Sequence, residues 1–252
     1  MKKILLSLII MTSLSSCSKE SQWDCTKSTG KITTRIITTQ PYKVIETYSL
    51  FDITLVQDSQ NYIKVIGGKN LLPKIKIEYA YPYIRLYDRN SCRWVRNYNK
   101  ERIALEFHFD QLDSIIAYRE NNIKSEGVIR NHVFMVKYPT SALATLNLKI
   151  DVDSFYLKIN PASGDYYVEG NCRFNYIYSI GYSYVHTENL NCLDADVTSY
   201  ETGDIYVNPS RNLHARIYNF GNIYYCTPLN KLIVEKPDYA HGKVIYKPCS
   251  DT

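Results

Sequence analysis

The 252-residue sequence has no segment with the periodic apolar spacing of an amphipathic helix, which excludes a helical core. Its basic residues alternate with acidic residues and tyrosines instead of clustering, although the formal net charge is +5. Proteins that bind nucleic acid need a basic patch or stripe, so we expect no nucleic-acid partner. No segment resembles an interdomain linker, and the sequence therefore predicts a single domain.

Motifs for metal binding and for nucleophilic catalysis are absent as well. No cysteines have the spacing of zinc ligands, and the five histidines have no spacing that suggests a metal site or a catalytic triad. No serine stands in a Gly-x-Ser-x-Gly motif. We therefore expect a protein without a metal or a cofactor, and one that is not an enzyme.

One acidic pattern keeps an enzymatic alternative open. Six aspartates lie on or beside the repeats described below: Asp151, Asp153, Asp165, Asp194, Asp196 and Asp204. Glycosidases use two carboxylates about 5 to 9.5 Å apart, a separation that neighbouring coils of a repeat protein supply. Aspartates after a turn glycine also bond to the local backbone, and outward aspartates keep a sheet edge soluble, which is the interpretation we favour.

The first residues have the features of a bacterial sorting signal. Two lysines precede an apolar run, residues 4–14, that is too short to span a bilayer. The run ends in Leu14-Ser-Ser-Cys17, which resembles the cleavage box of bacterial lipoproteins. We expect residues 1–16 to be removed as a lipoprotein signal peptide and Cys17 to receive the lipid.

The predicted lipid anchor sets the location of the mature protein. Two or three acyl chains, at about 0.8 kcal/mol per buried methylene, give stable membrane attachment. Residues 18–21 partly match the short charged tag that sends some Bacteroidetes lipoproteins to the outer surface. We expect an outer-membrane protein on the cell surface, with the periplasmic face as the alternative. Residues 17–30 form the anchor and a short tether, and residues 31–252 form the domain.

Short segments of alternating apolar and polar residues follow one another from Lys31 onward, separated by turn-forming residues. Seven such segments before residue 110 are predicted strands: 32–38, 42–47, 51–56, 62–66, 75–78, 84–87 and 103–109. The sequence therefore predicts an all-β protein.

One short phrase occurs four times in the second half of the chain. The copies are Gly164-Asp-Tyr-Tyr-Val168, Gly181-Tyr-Ser-Tyr-Val185, Gly203-Asp-Ile-Tyr-Val207 and Gly221-Asn-Ile-Tyr-Tyr225. In each copy a glycine that tolerates positive φ precedes four residues typical of a strand. Units of about 20 residues cannot bury an apolar face alone, and stacking them gives a β-solenoid.

The alternation of strand side chains assigns each position of the phrase to a face. The second and fourth residues after each glycine are expected inside. The third residue is expected outside, and it is a tyrosine in every copy: Tyr167, Tyr184, Tyr206 and Tyr224. We expect these four to form one outward row, which either stabilises neighbouring coils by stacking or offers an aromatic strip to a sugar or a protein.

The order of several phrases resembles the putative auto-transporter adhesin head GIN domain family, which is well represented among Bacteroidetes lipoproteins. The matching phrases are Asp24-Cys25, Phe51-Asp-Ile-Thr-Leu-Val-Gln57, Lys64-Val-Ile-Gly67, Asn90-Ser-Cys-Arg-Trp94, Leu112-Asp-Ser-Ile-Ile116 and the glycine phrases. The family's usual Gly-x-Gly-Asp phrase is reduced here to Gly-Asp in two copies. The resemblance implies a right-handed parallel β-helix, a surface location and an adhesive role.

Six cysteines remain besides Cys17, an even number that is compatible with disulfides outside the cytoplasm. The family-like phrases place Cys25 and Cys92 in the same N-terminal half, whereas Cys172 and Cys192 follow successive glycine phrases. We predict one disulfide between Cys25 and Cys92 and another between Cys172 and Cys192. Cys226 and Cys249 are left as a possible third pair.

These features together predict a cell-surface lipoprotein that acts as a binding or adhesion module. Its partners would be the membrane, through the lipid anchor, and a glycan or a surface protein. A polysaccharide-degrading enzyme of the β-helix type and a structural envelope protein are the two alternatives.

Overall fold

The computed structural model describes residues 28–91 and 102–248. The described part of the first half contains eight strands: β1 (Ile32–Thr38), β2 (Val44–Thr47), β3 (Phe51–Gln57), β4 (Tyr62–Gly68), β5 (Ile75–Ala80), β6 (Tyr83–Asp88), β7 (Ala104–Phe109) and β8 (Ser114–Ala117). The seven strands predicted there are confirmed. A three-residue 3-10 turn, Leu72–Lys74, is the one helical element among the described residues.

The second half, as far as residue 248, contains six further strands: β9 (Asn121–Tyr138), β10 (Leu143–Glu201), β11 (Ile205–Ile217), β12 (Ile223–Tyr225), β13 (Lys231–Glu235) and β14 (Val244–Tyr246). β10 is 59 residues long and turns back beside itself. The hydroxyl of Ser183 donates to the carbonyl oxygen of Ala162 at 3.1 Å, for example, and both residues belong to β10. The prediction of an all-β protein is confirmed.

All fourteen strands belong to one curled sheet. One branch of the sheet runs β1-β4-β7-β3 and the other runs β5-β6-β2-β8, and both branches join at β9. From β9 onward the pairing is parallel through β10, β11, β12 and β14, and β13 also pairs in parallel with β11. Paired residues in this second half are 17 to 23 positions apart in sequence.

The inner face of the curled sheet holds one continuous apolar cluster, which extends from Tyr42 to Ala240. Its largest fully buried side chains are aromatic, including Phe51, Phe107 and Phe134. Seven of the eight expected inward positions of the glycine phrases are buried, among them Tyr166, Ile205 and Ile223, whereas Tyr225 is only partly buried. Burying apolar surface at about 25 cal/mol per Å² is the main force that closes such a sheet.

The glycines lie where neighbouring segments of backbone come too close for a side chain. A Cβ atom on Gly203 would stand 2.1 Å from the carbonyl oxygen of Ser183, and one on Gly221 would stand 2.0 Å from that of Gly203. Gly170 has φ 118°, and a Cβ atom there would stand 2.0 Å from the carbonyl oxygen of Ile150. The recurring glycine thus marks close backbone approach at equivalent places in successive segments.

Candidate functional site: an outward tyrosine face

A row of stacked rings runs across the outward side of β10, β11 and β12, and we call it the aromatic row: Tyr167, His186, Tyr206 and Tyr224. Tyr167 stacks on His186 at 4.6 Å between ring centroids, with 6° between the ring planes. His186 stacks on Tyr206 at 5.0 Å and Tyr206 on Tyr224 at 4.8 Å. Three of the four predicted tyrosines therefore share one outward row.

The expected place of Tyr184 in this row is wrong. The register pairs His186 with Tyr206, and Val185 with Ile205, so Tyr184 stands two positions before the row. Its side chain is 51% exposed and its Cδ1 atom lies 3.5 Å from the Cβ position of Gly203. The second glycine phrase is thus displaced by two residues. A shift of two keeps every side chain on its expected face, and the alternating pattern could not reveal it.

Stacking determines which part of each ring a ligand could reach. Two rings less than about 5 Å apart cover each other's faces, so the middle of the aromatic row shows edges and hydroxyl groups to solvent. The ammonium group of Lys247 lies 5.8 Å from the centroids of both Tyr206 and Tyr224. Burial, helped by the charge of Asp204, raises the pKa of the Tyr206 phenol. The middle of the row is therefore not a flat platform.

One end of the row does offer an open ring. Tyr167 is 49% exposed and stacks on His186 by one face alone among the described residues. A recess of about 180 Å³ adjoins it, lined by Asn147, Glu169, Glu188 and Asn189 among others. The register of β10 against β11 shifts between Thr187 and Asn191, which places extra residues of β10 at this recess. We call Tyr167, this recess and Tyr184 the tyrosine face.

A second aromatic row, which the sequence analysis did not predict, lies on another part of the sheet. Tyr200 stacks on Tyr218 at 4.5 Å, with 9° between the planes, and Tyr178 lies 6.1 Å from Tyr200. Tyr178 and Tyr200 stand outside the glycine phrases, so a search for repeated phrases misses them. The spacings of 22 and 18 residues between Tyr178, Tyr200 and Tyr218 are the signal that could have found them.

Most of the aspartates considered as catalytic candidates have cationic or amide partners. Asp194 accepts hydrogen bonds from Arg211 and Asn212, and these contacts lower the pKa of its carboxyl, the bond from Arg211 most. Asp196 accepts from Arg216 at 2.6 Å, and Asp204 accepts from the backbone N–H of Asn222 at 2.8 Å. Asp151 and Asp153 pair with Arg130 and His132 and line a polar cleft of about 600 Å³.

The predicted cysteine pair is close together but not bonded. Cys172 and Cys192 are both buried and both free thiols, so the disulfide predicted between them is absent from the structure. The hydrogen bond with Cys172 and burial raise the pKa of the Cys192 thiol. Cys226 is disulfide-bonded. The candidates Cys17, Cys25, Cys92 and Cys249 lie outside the described residues.

A buried carboxyl group lies behind the tyrosine face. Glu201 is fully buried, and its carboxylate accepts hydrogen bonds from the Ser179 hydroxyl and, at 2.9 Å, from the Ser183 backbone N–H. Burial raises the pKa of this carboxyl group in spite of these bonds, which act in the opposite direction. Among residues 28–91 and 102–248, no group of three or more His, Cys, Asp or Glu side chains is arranged to hold a metal.

With the fold and the tyrosine face established, comparison with known proteins identifies the family. The family model described as "Putative auto-transporter adhesin, head GIN domain" matches residues 41–228. The chain belongs to this family. The match includes all four glycine phrases, so the aromatic row and Tyr184 are part of the family domain.

Solved structures share the fold of this GIN-domain chain. A putative adhesin from Bacteroides fragilis NCTC 9343 has a TM-score of 0.72 and 16% identity, with 85% of this chain and 96% of that chain covered. A putative adhesin from Parabacteroides merdae ATCC 43184 has a TM-score of 0.60 and 14% identity, covering 86% and 98%. These names are of adhesins and not of enzymes.

A third solved structure has a different name. A putative lipid binding protein from Parabacteroides distasonis ATCC 8503 has a TM-score of 0.55 and 16% identity, with 86% of this chain and 97% of that chain covered. No curated protein matches the chain. In the described part of the GIN-domain chain, no helix has both the length and the apolar character needed to cross a membrane.

Proposed function

We propose that this GIN-domain protein is a lipid-anchored binding module of the cell surface, and that its ligand is a glycan or a surface protein that contacts the tyrosine face. Family membership and the adhesin names of the similar structures support an adhesive role. The observation that carries the proposal is the half-exposed ring of Tyr167, whose open face adjoins a recess lined by amides and carboxylates.

Sugars and protein surfaces suit this arrangement for the same physical reason. An aromatic face packs against the C–H groups of a sugar ring or an apolar side chain, while nearby polar groups orient the ligand by hydrogen bonds. Asn147 and Asn189 supply amide groups at the recess, and Tyr184 adds a second exposed ring on the same side of the sheet. In this proposal the other rings of the aromatic row hold the site in place.

The architecture we propose is a single domain built as a right-handed parallel β-helix that opens into wider strands at its N-terminal end. The parallel pairing of residues 17 to 23 positions apart supports coils of that length. The continuous apolar cluster from Tyr42 to Ala240 supports one domain. An elongated coil of this kind would carry the tyrosine face along one side.

The anchor we propose is a lipid on Cys17, in the outer membrane and facing the cell surface. It rests on the two lysines, the apolar run and the Leu14-Ser-Ser-Cys17 sequence. A stable anchor fits an adhesive module, because a ligand attached to another surface pulls on it.

A polysaccharide-degrading enzyme is the second candidate function. The observation that favours it is the position of Asp151 and Asp153 in the polar cleft. Asp151 already pairs there with Arg130, and Asp153 pairs with His132. A structural envelope protein without a ligand is the third possibility.

One experiment separates the three functions. The soluble form of residues 18–252 is applied to immobilised polysaccharides and surface proteins, and both bound protein and released reducing ends are measured. We expect binding without release. Release of reducing ends that is lost in Asp151→Asn would replace the proposal with the enzyme, and the absence of both signals across the panel would favour the structural protein.

A further inference from the structure

A polar cleft lies around the corner from the tyrosine face, where the wide N-terminal half meets the parallel strands. We call it the corner cleft, and its volume is about 600 Å³. The end of β3, the turn after β7, and β9 and β10 contribute its walls. Gly170, at φ 118°, lies in β10 between Tyr167 and the Asn171 wall of this cleft. Ligand pockets in proteins commonly measure about 300 to 1,000 Å³, so the corner cleft can hold a small ligand.

The floor of the corner cleft is fixed by side-chain amides. Gln57 donates to the carbonyl oxygens of Asp110 at 2.8 Å and Arg130 at 2.9 Å, and it accepts from the backbone N–H of Arg130 at 2.7 Å. Asn131 donates to the carbonyl oxygen of Leu112 at 2.9 Å and to a carboxylate oxygen of Asp113 at 3.0 Å. These bonds hold β9 against the turn after β7, so the polar groups above them start from a preorganised arrangement.

Charges in the corner cleft largely cancel. Arg130 lies 3.8 Å from Asp151, and the Nδ1 atom of His132 lies 2.7 Å from a carboxylate oxygen of Asp153. A third aspartate, Asp110, and a second arginine, Arg173, complete the charged lining. Three carboxylates outnumber two guanidinium groups in this lining, so an anionic ligand would be repelled on balance. A ligand without charge meets no such repulsion.

One wall of the corner cleft contains the side-chain amide of Asn171, which can donate a hydrogen bond to a ligand. Asn191 donates to the Oδ1 atom of Asn171 at 3.4 Å, and Asn208 donates to Asn191 at 3.1 Å, so the three amides form a ladder along the corner. The ladder ends at the cleft, where Asn171 uses its oxygen and keeps its Nδ2 donor without a partner among the described residues. The lining thus offers carboxylate acceptors beside guanidinium and amide donors.

We infer that the corner cleft binds an uncharged sugar residue. Each sugar hydroxyl both donates and accepts, which matches carboxylates that accept and guanidinium and amide groups that donate. A neutral sugar also carries no charge that would compete with the existing contacts between Arg130 and Asp151 and between His132 and Asp153. This site shares no lining residue with the tyrosine face, and the inference holds whether or not the tyrosine face binds a ligand.

The test uses six uncharged methyl glycosides, of glucose, galactose, mannose, fucose, N-acetylglucosamine and N-acetylgalactosamine, with methyl glucuronide as the anionic comparison. Binding to the soluble protein is followed by nuclear magnetic resonance at up to about 10 mM, which nearly saturates a site with a Kd of about 1 mM. Arg130→Ala and Asp153→Asn remove cleft contacts. Arg211→Ala is the matched control, because Arg211 is an exposed arginine paired with Asp194 outside the cleft.

We expect at least one uncharged glycoside to bind the wild type and the Arg211→Ala variant, with a loss of about tenfold or more in Arg130→Ala. Asp153→Asn keeps the shape of the side chain and gives the same loss if Arg130→Ala does not fold. The inference is overturned if none of the six glycosides binds, if methyl glucuronide alone binds, or if both cleft variants bind as the wild type does.

Discussion

His186 stacks on Tyr206 with 5.0 Å between ring centroids and 6° between ring planes, in the position where the sequence repeat predicts Tyr184. The imidazole therefore continues a row of phenol rings from Tyr167 to Tyr224. Because stacked rings cover each other's faces, this relationship divides the four predicted tyrosines into two kinds. Tyr206 lies inside the row, whereas Tyr184 lies beside it and is free to meet a ligand.

Substitution should distinguish a stacked ring from an exposed one. Tyr206→Ser removes two ring contacts, each worth about 0.5 to 1.5 kcal/mol, and should lower the free energy of unfolding by about 1 to 3 kcal/mol. Tyr184→Ser, the matched control, removes no ring stack among the described residues and should change the free energy of unfolding by less than about 0.5 kcal/mol. Urea unfolding of the wild type and of each variant measures these changes. Equal losses would contradict the two-residue shift of the second glycine phrase.

Glu201 should make stability depend on pH. A carboxyl group whose pKa is raised by folding stabilises the fold fully below its unfolded value, which is near 4.5, and loses this contribution as the pH rises through its folded pKa. Glu201→Gln removes the ionisation, and Ser179 can turn its hydroxyl to accept from the new amide. We expect the variant to gain stability over the wild type between pH 4.5 and neutral pH, as measured by thermal unfolding. A difference between the two proteins that stays constant with pH would contradict this.

Cys172 and Cys192 should remain thiols in the folded protein. Both side chains are buried and unbonded, and a buried thiol is shielded from oxidants. We expect alkylation of the denatured, unreduced protein, followed by peptide mapping, to label both cysteines. Cys226, which is disulfide-bonded, is the internal control and should be labelled only after reduction. A peptide in which Cys172 is linked to Cys192 before reduction would contradict this prediction.

The proposed lipidation of Cys17 predicts the cell fraction in which the protein is found. Cys17→Ser should move the protein from the membrane fraction to the soluble fraction, because no acyl chain can then be attached. Ser18→Ala, next to the predicted lipid site, is the control and should leave it in the membrane. An unchanged distribution of Cys17→Ser would rule out the anchor.

The strands were predictable from sequence because each carries a strict alternation. β1 occupies the predicted residues 32–38, and β3 begins at the predicted Phe51. Burial of Tyr166, Val185 and Val207 followed from the same alternation. These features depend on the local alternation of apolar and polar residues, which a single sequence shows directly.

The register of the second glycine phrase and the corner cleft could not be predicted from the sequence. Ser183 occupies the place in its coil that Gly203 occupies in the next, and its hydroxyl donates to the carbonyl oxygen of Ala162 at 3.1 Å. A search for glycine phrases therefore aligned Gly181 instead. The corner cleft was also hidden, because Gln57 and Arg130 are 73 residues apart and meet only through the pairing of β3 with β9.

The most direct test of the proposed function compares two tyrosines at the ends of two rows. Tyr167→Ser alters the tyrosine face, and Tyr218→Ser alters the second aromatic row, where Tyr218 stacks on Tyr200. Binding of both variants to the panel members that retain the wild type is measured at equal fractions of folded protein. We predict that Tyr167→Ser loses about tenfold or more in affinity while Tyr218→Ser binds as the wild type does. Wild-type binding by Tyr167→Ser, or equal losses in both variants, would contradict the assignment of the tyrosine face.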